Sequence, residues 1–106
     1  MSSKGVAEAL TSRGHRVNYQ IIDRLTRKSL QALSGDIIFP VLHGGWGEGG
    51  PLQDLMALDG RPFVGCQAPA ARIAMDKMAT KLYAATLGIP TAPAVVINPD
   101  DDAGVA

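Results

Sequence analysis

Hydrophobic positions along this chain follow two periods, and the boundaries between them fall at glycines and prolines. Over residues 3–13, Val6 and Leu10 lie four apart on one helical face. Ser2 or Ser3 can cap that helix, and Gly14 can stop it. Residues 16–22, with Val17, Tyr19, Ile21 and Ile22, predict a strand. Residues 24–34 place Leu25, Leu30 and Leu33 among polar residues, as a short helix or structured loop. Residues 36–42 are the strongest strand, because Ile37, Ile38, Phe39, Val41 and Leu42 form a nearly unbroken apolar run. Such a run suits a strand covered on both faces, as in a parallel sheet. Pro40 limits the ladder there, since it has no N–H to donate.

The run His43-Gly-Gly-Trp-Gly-Glu-Gly-Gly50 reads as a loop. Pro51 suits the first position of a helix carrying Leu52, Leu55 and Met56, which Gly60 ends. Phe63-Val64-Gly65 is a short strand. Residues 69–76 and 77–87 form one broken helix or two adjacent ones, with Met75, Met78, Leu82 and Ala85 on a common face. Gly88 and Pro90 stop it. Thr91 to Ile97 is a last strand or extended linker, and Asn98 to Gly104 is turn-like. Helices alternating with strands predict an α/β fold with a mainly parallel sheet.

Composition narrows the function classes. Ten basic residues balance ten acidic ones among 106, which argues against nucleic acid or an anionic membrane as partner. No apolar run reaches the ~18 residues of a membrane span, and the first residues do not form a secretory signal. The single cysteine, Cys66, has no basic neighbour to activate it and reads as a small buried residue. No Cys/His spacing suits a metal.

Two clusters carry candidate chemistry. Five glycines fall between Gly44 and Gly50, at the carboxyl end of the best strand and ahead of a helix. Ligands bind at that place in open α/β sheets, and glycine lets backbone N–H groups approach an anion. His43 stands at the junction, where a neutral imidazole can bond a carboxylate or relay a proton. Glu48, in the same loop, complements a helix dipole or joins a binding site. Trp46 covers a ligand or closes the core edge. The second cluster is Asp76-Lys77-Met-Ala-Thr-Lys81. Lys77 and Lys81, four apart, repel each other unless an anion lies near. Arg72 and Asp76, also four apart, suit a surface ion pair.

Together, His43-Gly-Gly-x-Gly-Glu-Gly-Gly-Pro-Leu-Gln53, Phe63-Val-Gly65, Ala74-Met-Asp-Lys-x-x-Thr-Lys81 and Gly88-Ile-Pro-Thr91 resemble the D-alanine–D-alanine ligase family. That family carries His-Gly-x-x-Gly-Glu-Asp-Gly-x-x-Gln, then Tyr/Phe-x-Gly, then Met-Asp-Lys. Gly49 departs from it, standing where the family usually has Asp. The resemblance implies an ATP-grasp ligase that joins two D-alanines through an acyl phosphate, with ATP and Mg2+, for peptidoglycan synthesis in the bacterial cytoplasm. It implies that His43 and Glu48 line the D-alanine site and that Lys77 contacts ATP phosphate. Gln53 belongs to the matching segment as support.

The resemblance further implies a three-layer parallel-sheet domain over residues 1–66, lacking its first strand. Residues 67–106 would be linker helices leading to the ATP-grasp region. On this reading the chain holds no catalytic residue, binds no metal or cofactor tightly by itself, and makes no dipeptide alone. The second substrate, D-alanine, D-lactate or D-serine, is chosen by residues outside these motifs. The alternative is a non-catalytic binding module of the same fold. The missing strand leads us to expect a homodimer, a domain swap or an associating chain.

Overall fold

Six helices carry the regular structure of the computed structural model, which describes residues 3–99. They are α1 (Ser3–Ser12), α2 (Arg27–Ala32), α3 (Gly44–Glu48), α4 (Pro51–Asp59), α5 (Ala68–Met75) and α6 (Lys77–Thr86). Capping by Ser2 and the turn-like residues from Asp100 lie outside the described residues.

The helix boundaries follow local chemistry. Gly14, Gly60 and Gly88 adopt positive φ of 88°, 88° and 73° just beyond α1, α4 and α6, a region that costs glycine least. Thr26 and Ser29 exchange reciprocal bonds at the start of α2: the Ser29 N–H donates to Thr26 Oγ1 at 3.1 Å, and the Thr26 N–H to Ser29 Oγ at 2.8 Å. Asp76 separates α5 from α6, and its carboxylate accepts the Ala79 N–H at 3.0 Å. The broken-helix alternative therefore resolves into two helices.

The core is small. Leu30, Leu52 and Met56 are buried and touched by Leu25, Leu33, Ile38, Leu42, Trp46, Leu55 and Phe63. Helix α4 packs on α2, α3 and α5, while α6 packs on α5 alone among the helices. The small side chains of Ala68 and Ala71 are buried on α5. The radius of gyration is 18.0 Å, against about 13 Å for a compact domain of this length.

The predicted parallel sheet does not form among the described residues. Residues 16–22 and 91–97 carry no ladder, and the segments at 36–42 and 63–65 meet through one parallel bridge, Ile38 to Phe63. The Ile38 N–H donates to the Pro62 carbonyl at 3.0 Å, and the Val64 N–H to the Ile38 carbonyl at 2.9 Å. A strand exists through its neighbour's backbone, so β-branched residues without a partner stay unpaired. Residues 16–22 are tied instead by side chains. The Tyr19 and Ser3 hydroxyls lie 2.6 Å apart, and the Asn18 amide donates to Ser34 Oγ at 3.1 Å.

Three further expectations change. The run at 43–50, read as a loop, contains the single helical turn α3. Cys66, read as buried, is exposed. Arg72 pairs with Asp54 of α4, not with Asp76, whose carboxylate caps α6.

Candidate functional site

The glycine-rich run folds over the amino-terminal end of α4, and a buried amide holds it there. Gln53 is 8% exposed. Its Oε1 accepts the Gly50 N–H at 3.1 Å, and its Nε2 donates to the Gly47 carbonyl at 3.1 Å. One side chain thus ties the last turn of the run to its exit, and both ends of the amide are satisfied. Gln53 serves the loop as support.

Two glycines here are required by space. A Cβ on Gly47 would lie 2.6 Å from Cβ of Leu42. Gly50 has φ of 123°, and a Cβ there would meet Arg72 at 2.7 Å. Arg72 crosses the exit of the loop to reach Asp54. The Asp54 carboxylate raises the Arg72 pKa above its ordinary value, first by hydrogen bonding and then by charge. Gly49, the position where aspartate was expected, lies tight against the turn. A Cβ on it would stand 2.5 Å from the Gly45 carbonyl oxygen, so aspartate requires a shift of that backbone.

His43 and Glu48 come together across α3. His43 Nδ1 lies 3.5 Å from Glu48 Oε1, and the other carboxylate oxygen accepts the Gly44 N–H at 3.1 Å. Glu48 therefore occupies a backbone donor that the sequence had marked for a bound anion. The Gly49 N–H donates to the Gly45 carbonyl at 2.8 Å, and that of Gly50 is taken by Gln53. Three of the loop's donors are thus used internally, which corrects the expectation of an open anion cradle. Both side chains of the pair face solvent, at 75% for His43 and 45% for Glu48. An exposed imidazole beside a carboxylate can meet a small zwitterionic ligand through its free nitrogen. Trp46 packs against the core, the second of its two expected roles.

Lys77 stands apart from this pair. It is the first residue of α6, exposed, and no ion pair among the described residues joins it to His43 or Glu48. Lys81, four residues on, donates to the Ala92 carbonyl at 2.5 Å and so pins the segment after α6 to that helix.

One organising residue escaped the sequence reading. Arg61 donates to Asp59 at 2.6 Å, and to the carbonyls of Leu30, Leu33 and Gly35 at 2.8, 2.7 and 3.2 Å. It thereby satisfies the end of α2 and fixes it to α4. Hydrogen bonding from Arg61 holds the Asp59 carboxyl below its ordinary range, outweighing burial, which acts the other way. The signal available was an arginine two residues after an aspartate just past a helix-ending glycine, a pattern too common to single out.

No family model matches the chain. Curated proteins do. The D-alanine–D-alanine ligase of Chlorobium limicola is 43% identical over 72 residues, 68% of this chain and 20% of that protein. The Haemophilus ducreyi ligase of the same name is 39% identical over 102 residues, 92% of this chain and 32% of that protein. A crystal structure of the Aeromonas hydrophila D-alanine–D-alanine ligase superposes with a TM-score of 0.58 at 38% identity, covering 66% of this chain and 26% of that one. The chain belongs to the D-alanine–D-alanine ligase family. It spans between about a fifth and a third of the length of these relatives. Among the described residues no helix is long and apolar enough to cross a membrane.

Proposed function

We propose that this chain is the part of a D-alanine–D-alanine ligase that carries the His43–Glu48 loop and the Lys77 helix. The observation that carries the reading is identity of 39% spread over 92% of the chain to a protein of that name. In such an enzyme ATP activates the carboxylate of the first D-alanine, and the amine of the second displaces phosphate. The product serves peptidoglycan synthesis in the bacterial cytoplasm. The finer fold reading is part of the same proposal. In the whole protein, residues 1–66 complete a three-layer parallel-sheet domain, and residues 67–106 lead into the ATP-grasp region.

Within this chain the roles divide by chemistry. His43 binds the D-alanine zwitterion, and Glu48 holds the imidazole edge and the Gly44 N–H in one place. Lys77, joined by no ion pair among the described residues, offers its ammonium to phosphate. Asp76 already caps the first turn of α6, so the lysine and not the helix terminus meets the nucleotide. Among the described residues, no group of three or more His, Cys, Asp or Glu side chains could hold a metal. On this reading the isolated chain makes no dipeptide, because it matches at most about a third of such an enzyme and removing even one charge-stabilising group from such a site costs ~10²–10³ in rate.

The test is a chimera in which this chain replaces the matching segment of the Haemophilus ducreyi ligase. We expect ATP-dependent D-alanyl-D-alanine formation. Lys77→Ala raises the KM for ATP with little change for D-alanine, and His43→Ala does the reverse. Unchanged ATP kinetics in Lys77→Ala would remove the nucleotide role of α6. Phosphate release by the isolated chain, dependent on both ATP and D-alanine, would overturn its inactivity.

A further inference from the structure

The Lys77 helix and the glycine-rich run meet through one intermediary. Among the helices of the described residues, α6 packs on α5 alone, and α5 packs on α3 and α4. The junction between α5 and α6 is itself fixed. Thr80 Oγ1 donates to the Ile73 carbonyl at 2.5 Å, and the Asp76 carboxylate caps α6. The placement of Lys77 relative to His43 and Glu48 is therefore set by how α5 sits on α3 and α4.

Apolar contact alone does little to fix that seat. The buried residues of α5 are Ala68 and Ala71, whose methyl groups allow close approach but make shallow ridges. Arg72 supplies the directional contact. Its Nη1 lies 3.5 Å from Asp54 Oδ1, and its Nη2 donates to Asp54 Oδ2, in the first turn of α4. A guanidinium fork set on both oxygens fixes a carboxylate in orientation as well as in distance. On its way the side chain lies across Gly50, where a Cβ would stand 2.7, 2.8 and 2.9 Å from Arg72 Cγ, Nε and Cζ. Gln53 holds the same glycine by its N–H. Of the three salt bridges among the described residues, Arg72–Asp54 is the one that joins the α5–α6 pair to the helix behind the loop.

Resting on the ligase reading above, we propose that Arg72 is a positioning residue. Paired with Asp54 and laid over Gly50, it aligns the Lys77 helix with the His43–Glu48 loop, and so the phosphate donor with the carboxylate to be activated. Neither half needs Arg72 to take its own shape. Gln53 and Glu48 brace the loop from within, and Lys77 stands on a helix capped by Asp76. Loss of Arg72 therefore leaves the binding of each substrate in place and lowers the rate at which the bound pair reacts.

The chimera with the Haemophilus ducreyi ligase tests this, at a temperature where circular dichroism shows every variant folded. Arg72→Ala and Asp54→Ala each lower kcat by about three- to fivefold, the range open to a half-exposed ion pair, with both KM values within about twofold of the unsubstituted chimera. The double variant falls no further, because each substitution breaks the same contact. An unchanged kcat, a change in either KM as large as that in kcat, or losses that multiply in the double variant overturn the proposal. An inactive unsubstituted chimera counts against the ligase reading and not against the alignment, which is then decided on the 106-residue chain. There, residual dipolar couplings fit α4 and α5 to one frame, and Arg72→Ala lowers the order of α5 within it. Couplings indifferent to Arg72→Ala overturn the alignment whatever the chimera does.

Discussion

Helices α4 and α6 have comparable sequences and different fates. Each carries three apolar residues at helical spacing: Leu52, Leu55 and Met56 in one, Met78, Leu82 and Tyr83 in the other. In α4, Leu52 and Met56 are 2% and 1% exposed. In α6, Leu82 and Tyr83 are 60% and 57% exposed. The difference lies in the neighbours. Helix α4 is surrounded by α2, α3 and α5, whereas α6 touches α5 alone. An apolar stripe specifies which face of a helix will be buried, and only a surrounding fold buries it.

The sharpest way to break that comparison is to truncate its buried side. Met56→Ala should cost about 2–5 kcal/mol, through lost contacts and the cavity left behind. Urea denaturation measures it, and a cost under about 1 kcal/mol would mean that the α2–α4 core is loosely packed. Next comes Gln53→Ala, which leaves the Gly47 carbonyl and the Gly50 N–H without their partner. We expect on the order of 1–3 kcal/mol, together with loss of the fixed His43–Glu48 geometry, read as averaging of the Gly44 and Gly50 amide signals in NMR.

Acid titration sharpens the same contrast. The carboxyl of Asp59 is held below its ordinary value of 3.8 by Arg61. A lowered folded pKa means that the unfolded chain takes up the proton first. The contribution is thus complete above the ordinary value and is lost as pH falls through the lowered one. Stability should therefore fall with acid below that ordinary value, and Asp59→Asn should flatten this part of the curve. An unchanged acid limb would remove the Arg61–Asp59 clamp from the packed half. The smallest effect belongs to α6, where Leu82→Ala should stay within about 0.5 kcal/mol. A cost near that of Met56→Ala would show α6 packed in solution, contrary to its exposure.

Much of the candidate site was legible because its determinants are local. The order His43, Glu48, Gln53 is carried by spacing, and Gly47, Gly49 and Gly50 mark where a side chain has no room. Gln53 was read as support, and its two bonds to the loop agree. The chemistry of the loop's donors was not legible. Whether Gly44 offers its N–H to a ligand or to Glu48 depends on how five residues close into a turn. Arg72 was misassigned for a similar reason. Helical spacing offers Asp76, but the crossing of α5 over the entry of α4 brings Asp54 nearer.

By itself the sequence determined α1, α4, α5 and α6 and their ends to within a residue or two, since caps and positive-φ glycines act within a few residues. It also determined the family motifs. Tertiary structure decided the rest. The β-rich segments at 16–22 and 91–97 have the composition of strands, but a ladder needs a second backbone, and among the described residues only Ile38 finds one. Tertiary structure likewise decided that Arg61 gathers carbonyls from the end of α2, and that Leu30, Leu52 and Met56 become the core while Leu82 and Val95 stay in water. Helix ends are set by neighbours along the chain, whereas burial and strand pairing are set by neighbours in space, which a local pattern does not name.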